Sequence, residues 1–183
     1  MSTRATYPIE IEGVKRELQI FEVKPGLKIA ILNILGDTEL VQACARSLKK
    51  KLEAYDYDFF VTAEAKSIPL AHAISLETGK PYVILRKSYK LYMGDALEVE
   101  TLSITTGKSQ TLYLDEKDRQ LVKGNRGVIL DDVISTGSTL EGMRTLLQQA
   151  GAEVVVDAAI FTEGDLSKWT DVVSLGHLPL FTD

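Results

Sequence analysis

The segment Val128-Ile129-Leu130-Asp131-Asp132-Val133-Ile134-Ser135-Thr136-Gly137-Ser138-Thr139-Leu140 limits the possible folds more than any other part of the chain. Val128 to Leu130 reads as a buried strand that carries two adjacent carboxylates, Asp131 and Asp132, to its C-terminal end. A turn of Ser135, Thr136, Gly137, Ser138 and Thr139 follows. A helix then places Leu140, Met143, Leu146, Leu147 and Ala150 on one face until Gly151 stops it. A strand that feeds a helix in this way belongs in a parallel sheet. In open sheets of that kind ligands bind just beyond the carboxyl ends of the strands. The turn offers backbone N–H groups, side-chain hydroxyls and a helix N-terminus, and Gly137 permits close approach. Together these form a cradle for a phosphate.

The same alternation recurs along the chain. Ile29 to Leu35 is expected as a buried strand, after which Leu40, Val41, Cys44, Ala45, Leu48 and Leu52 share a helical face capped by Asp37. Tyr57 to Thr62 is the next strand, and a helix beginning near Ser67, with Pro69 in its first turn, ends at Gly79 and Pro81. Tyr82 to Leu85 and Val154 to Phe161 complete the strands, so the class is α/β with a central parallel sheet flanked by helices. Residues 86–114 interrupt the pattern. They are rich in Thr, Ser, Lys and Tyr, with strand-like stretches at Leu97 to Thr105 and Gln110 to Leu114, and so long an excursion is expected to be either a functional lid or disordered. The chain ends, about 5–25 and 164–183, do not read as βα units and are expected to pack together as a small hood on a core of about 26–163. The 183 residues fit a single domain.

Bulk properties narrow the function. No apolar run approaches the ~20 residues of a membrane span, and MSTRATYPIE holds no secretory stretch. With one cysteine the chain has no internal disulfide framework; the cytoplasm is the default. A net charge of −5 offers no electrostatic footprint for nucleic acid. An acidic chain that binds an anion must concentrate positive charge locally, and Arg86, Lys87 and Lys90 form such a cluster.

Carboxylates beside a phosphate cradle would repel a phosphate placed on them. A sugar phosphate resolves the conflict, with its phosphate in the Ser/Thr turn and its ribose hydroxyls donating to the acids. This arrangement resembles the 5-phosphoribosyl diphosphate (PRPP) motif of the type I phosphoribosyltransferases, in which two acidic residues precede a Thr-Gly-rich loop. Glu64-Ala65-Lys66-Ser67 resembles the family's diphosphate loop, and Arg86-Lys87 with Lys90 resembles the basic pair that opens the mobile loop of adenine and xanthine phosphoribosyltransferases. The resemblance implies transfer of 5-phosphoribose from PRPP to a purine, with Mg2+ as cofactor and a homodimer as the assembly. It implies that Asp131 and Asp132 orient the ribose and hold the metal, directly or through water. The 5-phosphate would lie at Ser135, Thr136, Gly137, Ser138 and Thr139. Glu64, Ala65, Lys66, Arg86, Lys87 and Lys90 would face the diphosphate, with Lys87 also catalytic.

The base stays open among adenine, guanine, hypoxanthine and xanthine. Adenine-specific relatives carry an acid ahead of a Tyr-Gly-Lys pattern, and here Thr105-Thr106-Gly107-Lys108 stands in its place. Asn33 resembles a base-contacting Asn of the xanthine enzyme, whose further Lys is matched here by Gly164. Cys44 reads as a packing residue, His72 as a packing or surface residue, and Trp169 as an anchor of the hood. His177 is a hood residue that could line the base pocket, while Tyr89 and Tyr92 suit either a dimer contact or solvent. The alternative function is a PRPP-sensing regulator of the same fold with weak catalysis. The 103–108 stretch also resembles that of a purine-operon repressor, whose N-terminal DNA-binding domain has no counterpart in these 183 residues.

Overall fold

In the computed structural model, which describes residues 4–102 and 109–182, two sheets divide the work of folding. The chain opens with β1 (Thr6–Ile11), β2 (Val14–Lys24) and β3 (Leu27–Ala30), then α1 (Thr38–Leu52), β4 (Phe59–Ala63), α2 (Ile68–Thr78) and β5 (Tyr82–Leu85). A hairpin of β6 (Leu97–Leu102) and β7 (Ser109–Leu114) precedes the short α3 (Arg119–Val122). The last elements are β8 (Arg126–Ile134), α4 (Ser138–Gln149), β9 (Glu153–Glu163), β10 (Val172–Leu178) and β11 (Leu180–Thr182). The central sheet has the order β10-β9-β8-β4-β5, with every neighbouring pair parallel. The hood is the antiparallel sheet β1-β2-β3-β11, which joins the two ends of the chain.

The central strands are apolar throughout because both of their faces are covered. Along β4, Phe60 enters one core with Leu48, Leu70 and Ile74 from α1 and α2. Its neighbours Phe59 and Val61 enter the other, with Met143, Leu146 and Leu147 from α4. On β8, Val128 and Leu130 face the first core and Ile129 the second. This is the period of two that a pleated strand imposes. Cys44 is fully buried on the α1 face, as its apolar setting predicts.

Three expectations are corrected. Ile29 to Leu35 is not a strand of the parallel sheet: only Leu27–Ala30 is extended, and it pairs with β2 and β11 in the hood. The hydrophobic run continues past it because Leu32 and Ile34 are buried as a loop descends to α1. Residues 164–183 are not all hood either, since β10 lies parallel beside β9 as an edge of the central sheet. A connection of only eight residues, too short for the usual crossover helix, hid it from a βαβ reading. Finally, residues 86–114 are not a free lid. Leu112 and Leu114 are buried in the second core, Arg86 and Tyr113 exchange backbone hydrogen bonds of 2.9 and 2.8 Å, and β6 lies on α4 at Gly142. Movement of the whole segment would have to break that packing. Residues 103–108, which include Thr105-Thr106-Gly107-Lys108, lie outside the described residues.

One of the ion pairs that tie hood to core also caps a helix. Arg16 of β2 donates from Nε and Nη2 to the two carboxylate oxygens of Asp37, at 2.7 and 2.8 Å, while Asp37 Oδ1 accepts from Leu40 N at 3.2 Å and caps α1. The Arg16 guanidinium holds the Asp37 carboxyl below its ordinary range, with the Leu40 N–H adding to the effect. A lowered carboxyl stabilises the fold above its unfolded pKa and ceases to do so as pH falls through the folded value. Asp37→Ala should therefore cost about 1–2 kcal/mol at pH 7. Urea denaturation should show a smaller difference at pH 3, and an equal difference at both values would refute the coupling.

Candidate active site

The strand order fixes the site. β4 and β8 are neighbours, so the turn after β4 and the end of β8 meet at the carboxyl edge of the sheet. β8 runs on through Ile134, so both aspartates lie within the strand. Successive side chains of a strand ordinarily point to opposite faces. Yet carboxylate oxygens of Asp131 and Asp132 lie 2.8 and 3.1 Å from one atom, Ser67 Oγ. Ser67 is 1% exposed and also accepts the Asp132 N–H at 2.9 Å. Asp131 Oδ1 accepts a second bond from Asp132 N, again at 2.9 Å. Lys66 Nζ lies 2.7 Å from Asp132 Oδ2 and neutralises that carboxylate. Burial pushes the Asp131 carboxyl up to about 7, the neighbouring Asp132 charge adds to the rise, and the Ser67 hydrogen bond opposes it.

Beyond the acids the chain enters the Ser/Thr turn. Gly137 sits at φ +80° at the N-terminus of α4, and a Cβ there would come 3.0 Å from the Trp169 ring. Trp169 donates from Nε1 to Glu163 O at 3.0 Å, and Ser135 Oγ donates to Glu163 Oε2 at 2.7 Å. The end of β9 therefore braces the turn from behind. In front of it lies a cavity of about 100 Å3 lined by Asp131, Ser135, Thr136, Gly137 and Thr139 among others. That is well above the ~10–15 Å3 one water requires. An anion here meets the N-terminal N–H groups of α4 and its positive dipole end, with a carboxylate alongside for hydroxyls.

The structure groups the candidate residues unequally. Asp131 shares a cavity with Ser135, Thr136, Gly137 and Thr139, while Lys66 pairs with Asp132 beside it. Glu64 and Arg86 instead pair with each other, Nε to Oε1 at 2.9 Å, and line a cavity of about 430 Å3 with Tyr82, Tyr92 and Asp118. Glu64 Oε2 also accepts the Lys87 N–H at 3.0 Å, and Arg86 Nη1 donates to the Tyr92 hydroxyl at 3.2 Å. The Glu64–Ala65 peptide bond is cis. The side chains of Lys87 and Lys90 are exposed. Asn33 lies in the loop after β3, its Oδ1 accepting from Leu35 N at 3.3 Å, and lines a third cavity of about 380 Å3 with Leu18, Gln19 and Phe21 of the hood.

His177 is a residue of β10 rather than of the hood. Its Nε2 lies 3.1 Å from Gly164 O, a pure acceptor, so that nitrogen carries the proton. In the neutral ring Nδ1 then accepts from the Thr162 hydroxyl at 2.9 Å. His72 is exposed and meets the Tyr82 ring edge-on, away from the acids. Sequence reasoning took Ser67 only as the end of the diphosphate-loop motif, not as a partner of the acids, and passed over Glu163. Ser67 stands before a helix with Pro69 in its first turn, so its obvious reading is a cap. Glu163 carried no signal beyond lying at the end of a long apolar strand.

For a metal, the acid pair supplies hard oxygen donors, and among the described residues no group of three or more His, Cys, Asp or Glu side chains surrounds a common point. That set suits Mg2+, which commonly takes one or two carboxylates and completes its shell with waters and substrate oxygens.

With this geometry in place, comparison with known proteins is specific. Residues 31–171 match the family model of the phosphoribosyl transferase domain, and the chain belongs to that family. A hypoxanthine/guanine phosphoribosyltransferase of Methanococcus maripaludis is 36% identical over 131 residues, 72% of this chain and 66% of that protein. The same enzyme of Methanosarcina mazei is 44% identical over 109 residues, 59% of this chain and 53% of its own length. These matches cover less than two-thirds of the relatives. In fold, the adenine phosphoribosyltransferase of Thermoanaerobacter pseudethanolicus superposes with a TM-score of 0.73 at 22% identity, over 87% of this chain and 95% of the other. That of Giardia lamblia gives 0.72 at 20% identity, over 87% and 93%.

The raised Asp131 pKa has a testable sign. A carboxyl that protonates more readily in the folded chain withdraws stability as pH rises from about 4 to about 7. Thermal melting of the ligand-free protein should show that decline, and Asp131→Asn should flatten it and melt higher than the parent at pH 8. An unchanged slope in the variant would refute the assignment.

Proposed function

We propose that the protein is a purine phosphoribosyltransferase, which moves 5-phosphoribose from PRPP to a ring nitrogen of a purine and releases diphosphate. The observation that carries this reading is the meeting of Asp131, one of two adjoining carboxylates, with an anion-ready turn around one cavity. Phosphate alone would not need the acids, and a polyol alone would not need the helix N-terminus. The curated relatives are named for hypoxanthine and guanine, which favours a 6-oxopurine as the acceptor. Asn33, in the cavity under the hood, is the residue proposed to meet it.

In this reading the 5-phosphate sits against the N–H groups and hydroxyls of residues 135–139, and that remote contact fixes the sugar. Asp131 and Asp132 accept the ribose hydroxyls and favour the positive charge that develops on the sugar ring as the C1–O bond breaks. Lys66, while paired to Asp132, brings positive charge beside the departing diphosphate, and exposed Lys87 and Lys90 add to it. Arg86 is committed to Glu64 and Tyr92, so its part is to hold the root of the loop in place. Asp131 and Asp132 would hold Mg2+, directly or through water, and the ion would supply positive charge to offset that of the substrate's oxygens. Among the described residues no helix is long and apolar enough to cross a membrane. We place the enzyme in the cytoplasm.

The homodimer is proposed on the outer face of α2. Leu70, Ala71 and Ile74 fill the core, yet Leu76 is 73% exposed and Ile68, Pro69 and Ala73 are only half-buried. A helix that is apolar on both faces is covered on both faces in the working assembly. Leu76→Glu should convert the dimer to monomers in sedimentation experiments; a parent chain that already sediments as a monomer would refute the assembly.

The activity test supplies PRPP, Mg2+ and each of hypoxanthine, guanine, xanthine and adenine in turn. Diphosphate release with a 6-oxopurine is expected, and Asp132→Asn should lower turnover by about 100-fold or more. PRPP binding with no turnover on any base would favour a PRPP-sensing regulator instead.

A further inference from the structure

We propose that Ser67 is a positioning residue of the sugar site, one that turns Asp131 so that its second oxygen meets the sugar diol. This role rests on the sugar-phosphate reading above, and an anomaly at the start of α2 points to it. A serine immediately before a helix usually accepts a hydrogen bond from the first turn. Ser67 occupies that place, but its side chain makes no capping bond. The hydroxyl is directed instead at the end of β8, where three groups surround it: Asp131 Oδ1, Asp132 Oδ1 and the Asp132 N–H.

The hydrogen-bond inventory decides what this does. A hydroxyl has one proton and can accept as well. The Asp132 N–H takes an acceptor position, and the proton goes to one carboxylate at a time, Asp131 being the nearer at 2.8 Å against 3.1 Å. Asp131 Oδ1 thus receives Ser67 Oγ–H and the Asp132 N–H together. Both of these bonds fall on Oδ1, and Asp131 lines the cavity in front of the Ser/Thr turn. With one oxygen held by two donors, the other is left for a ligand hydroxyl. Without the Ser67 proton, Asp131 would keep one donor and be free to rotate about its side-chain bonds. Lys66 cannot substitute, since its ammonium is spent on Asp132 Oδ2.

The test compares two ligands that differ by one hydroxyl. Ribose 5-phosphate and 2-deoxyribose 5-phosphate are titrated calorimetrically at about pH 8.5, where Asp131 is ionised, without metal, into the parent chain, Ser67→Ala and Ser67→Thr. The parent should prefer the ribose compound by about tenfold, the worth of one hydrogen bond to a charged group. In Ser67→Ala the preference should fall to about twofold or less, with the deoxy ligand binding as before, and Ser67→Thr should restore it. An alanine variant that keeps the parent ratio, or that weakens both ligands equally, overturns the role assigned to Ser67. A parent chain that does not distinguish the two sugars overturns the placement of the sugar itself. Ser67→Cys keeps the volume and weakens the donor, and it carries the same comparison if the alanine chain does not fold.

Discussion

Everything at the carboxyl edge of the central sheet follows from the need to hold two carboxylates at the end of one buried strand. Two unit charges about 4 Å apart at an effective dielectric near 20 repel by about 4 kcal/mol, a large fraction of a domain's net stability. The chain meets that cost locally, with the Lys66 ammonium on Asp132, the Ser67 hydroxyl between the acids and a backbone N–H on Asp131. Both compensating side chains come from the turn after β4. That turn is in reach only because β4 lies beside β8, the one neighbouring pair in the sheet whose strands are far apart in the chain. Topology and charge are thus one problem: reorder the strands and the acid pair becomes untenable.

The brace behind the Ser/Thr turn extends the same logic to the anion side. Trp169 packs on Gly137 and hangs from Glu163 O, while the Glu163 carboxylate takes the Ser135 proton. A turn with a glycine in the left-handed region is conformationally loose by itself. Here its backbone is backed by an indole and its first hydroxyl is held, so the N–H groups of α4 face the cavity without a ligand to organise them. Arg86 and Glu64 show the opposite arrangement, a cation already satisfied by a carboxylate and therefore less available to an anion.

What could be read from the sequence was whatever imposes a period or a rare combination. The 3.6-residue spacing of Leu40, Cys44, Leu48 and Leu52, the Asp37 cap and the Gly79 stop all describe the helices as they stand. Asp131-Asp132 beside Ser135 to Thr139 joins acids to an anion cradle, a pairing that few ligands besides a sugar phosphate require. Edges were harder to see. β10 has one sheet neighbour and no buried-exposed alternation, and β3 is four residues inside a longer apolar run that stays hydrophobic because its loop is buried. Ser67 was hidden by a competing signal, since the residue type that bridges acids is also the one that caps helices. Long-range partnerships such as Ser135 with Glu163, 28 residues apart, leave no local pattern at all.

Gly142 gives the molecule a mechanical linkage. A Cβ at that position would come within 2.1 Å of Thr101 Cγ2, so the hairpin rests directly on the backbone of α4. The same helix presents its N-terminal N–H groups to the anion cavity one turn earlier. The hairpin and the Ser/Thr turn are therefore joined through one helix, so a shift of β6 bears directly on the backbone that carries those N–H groups.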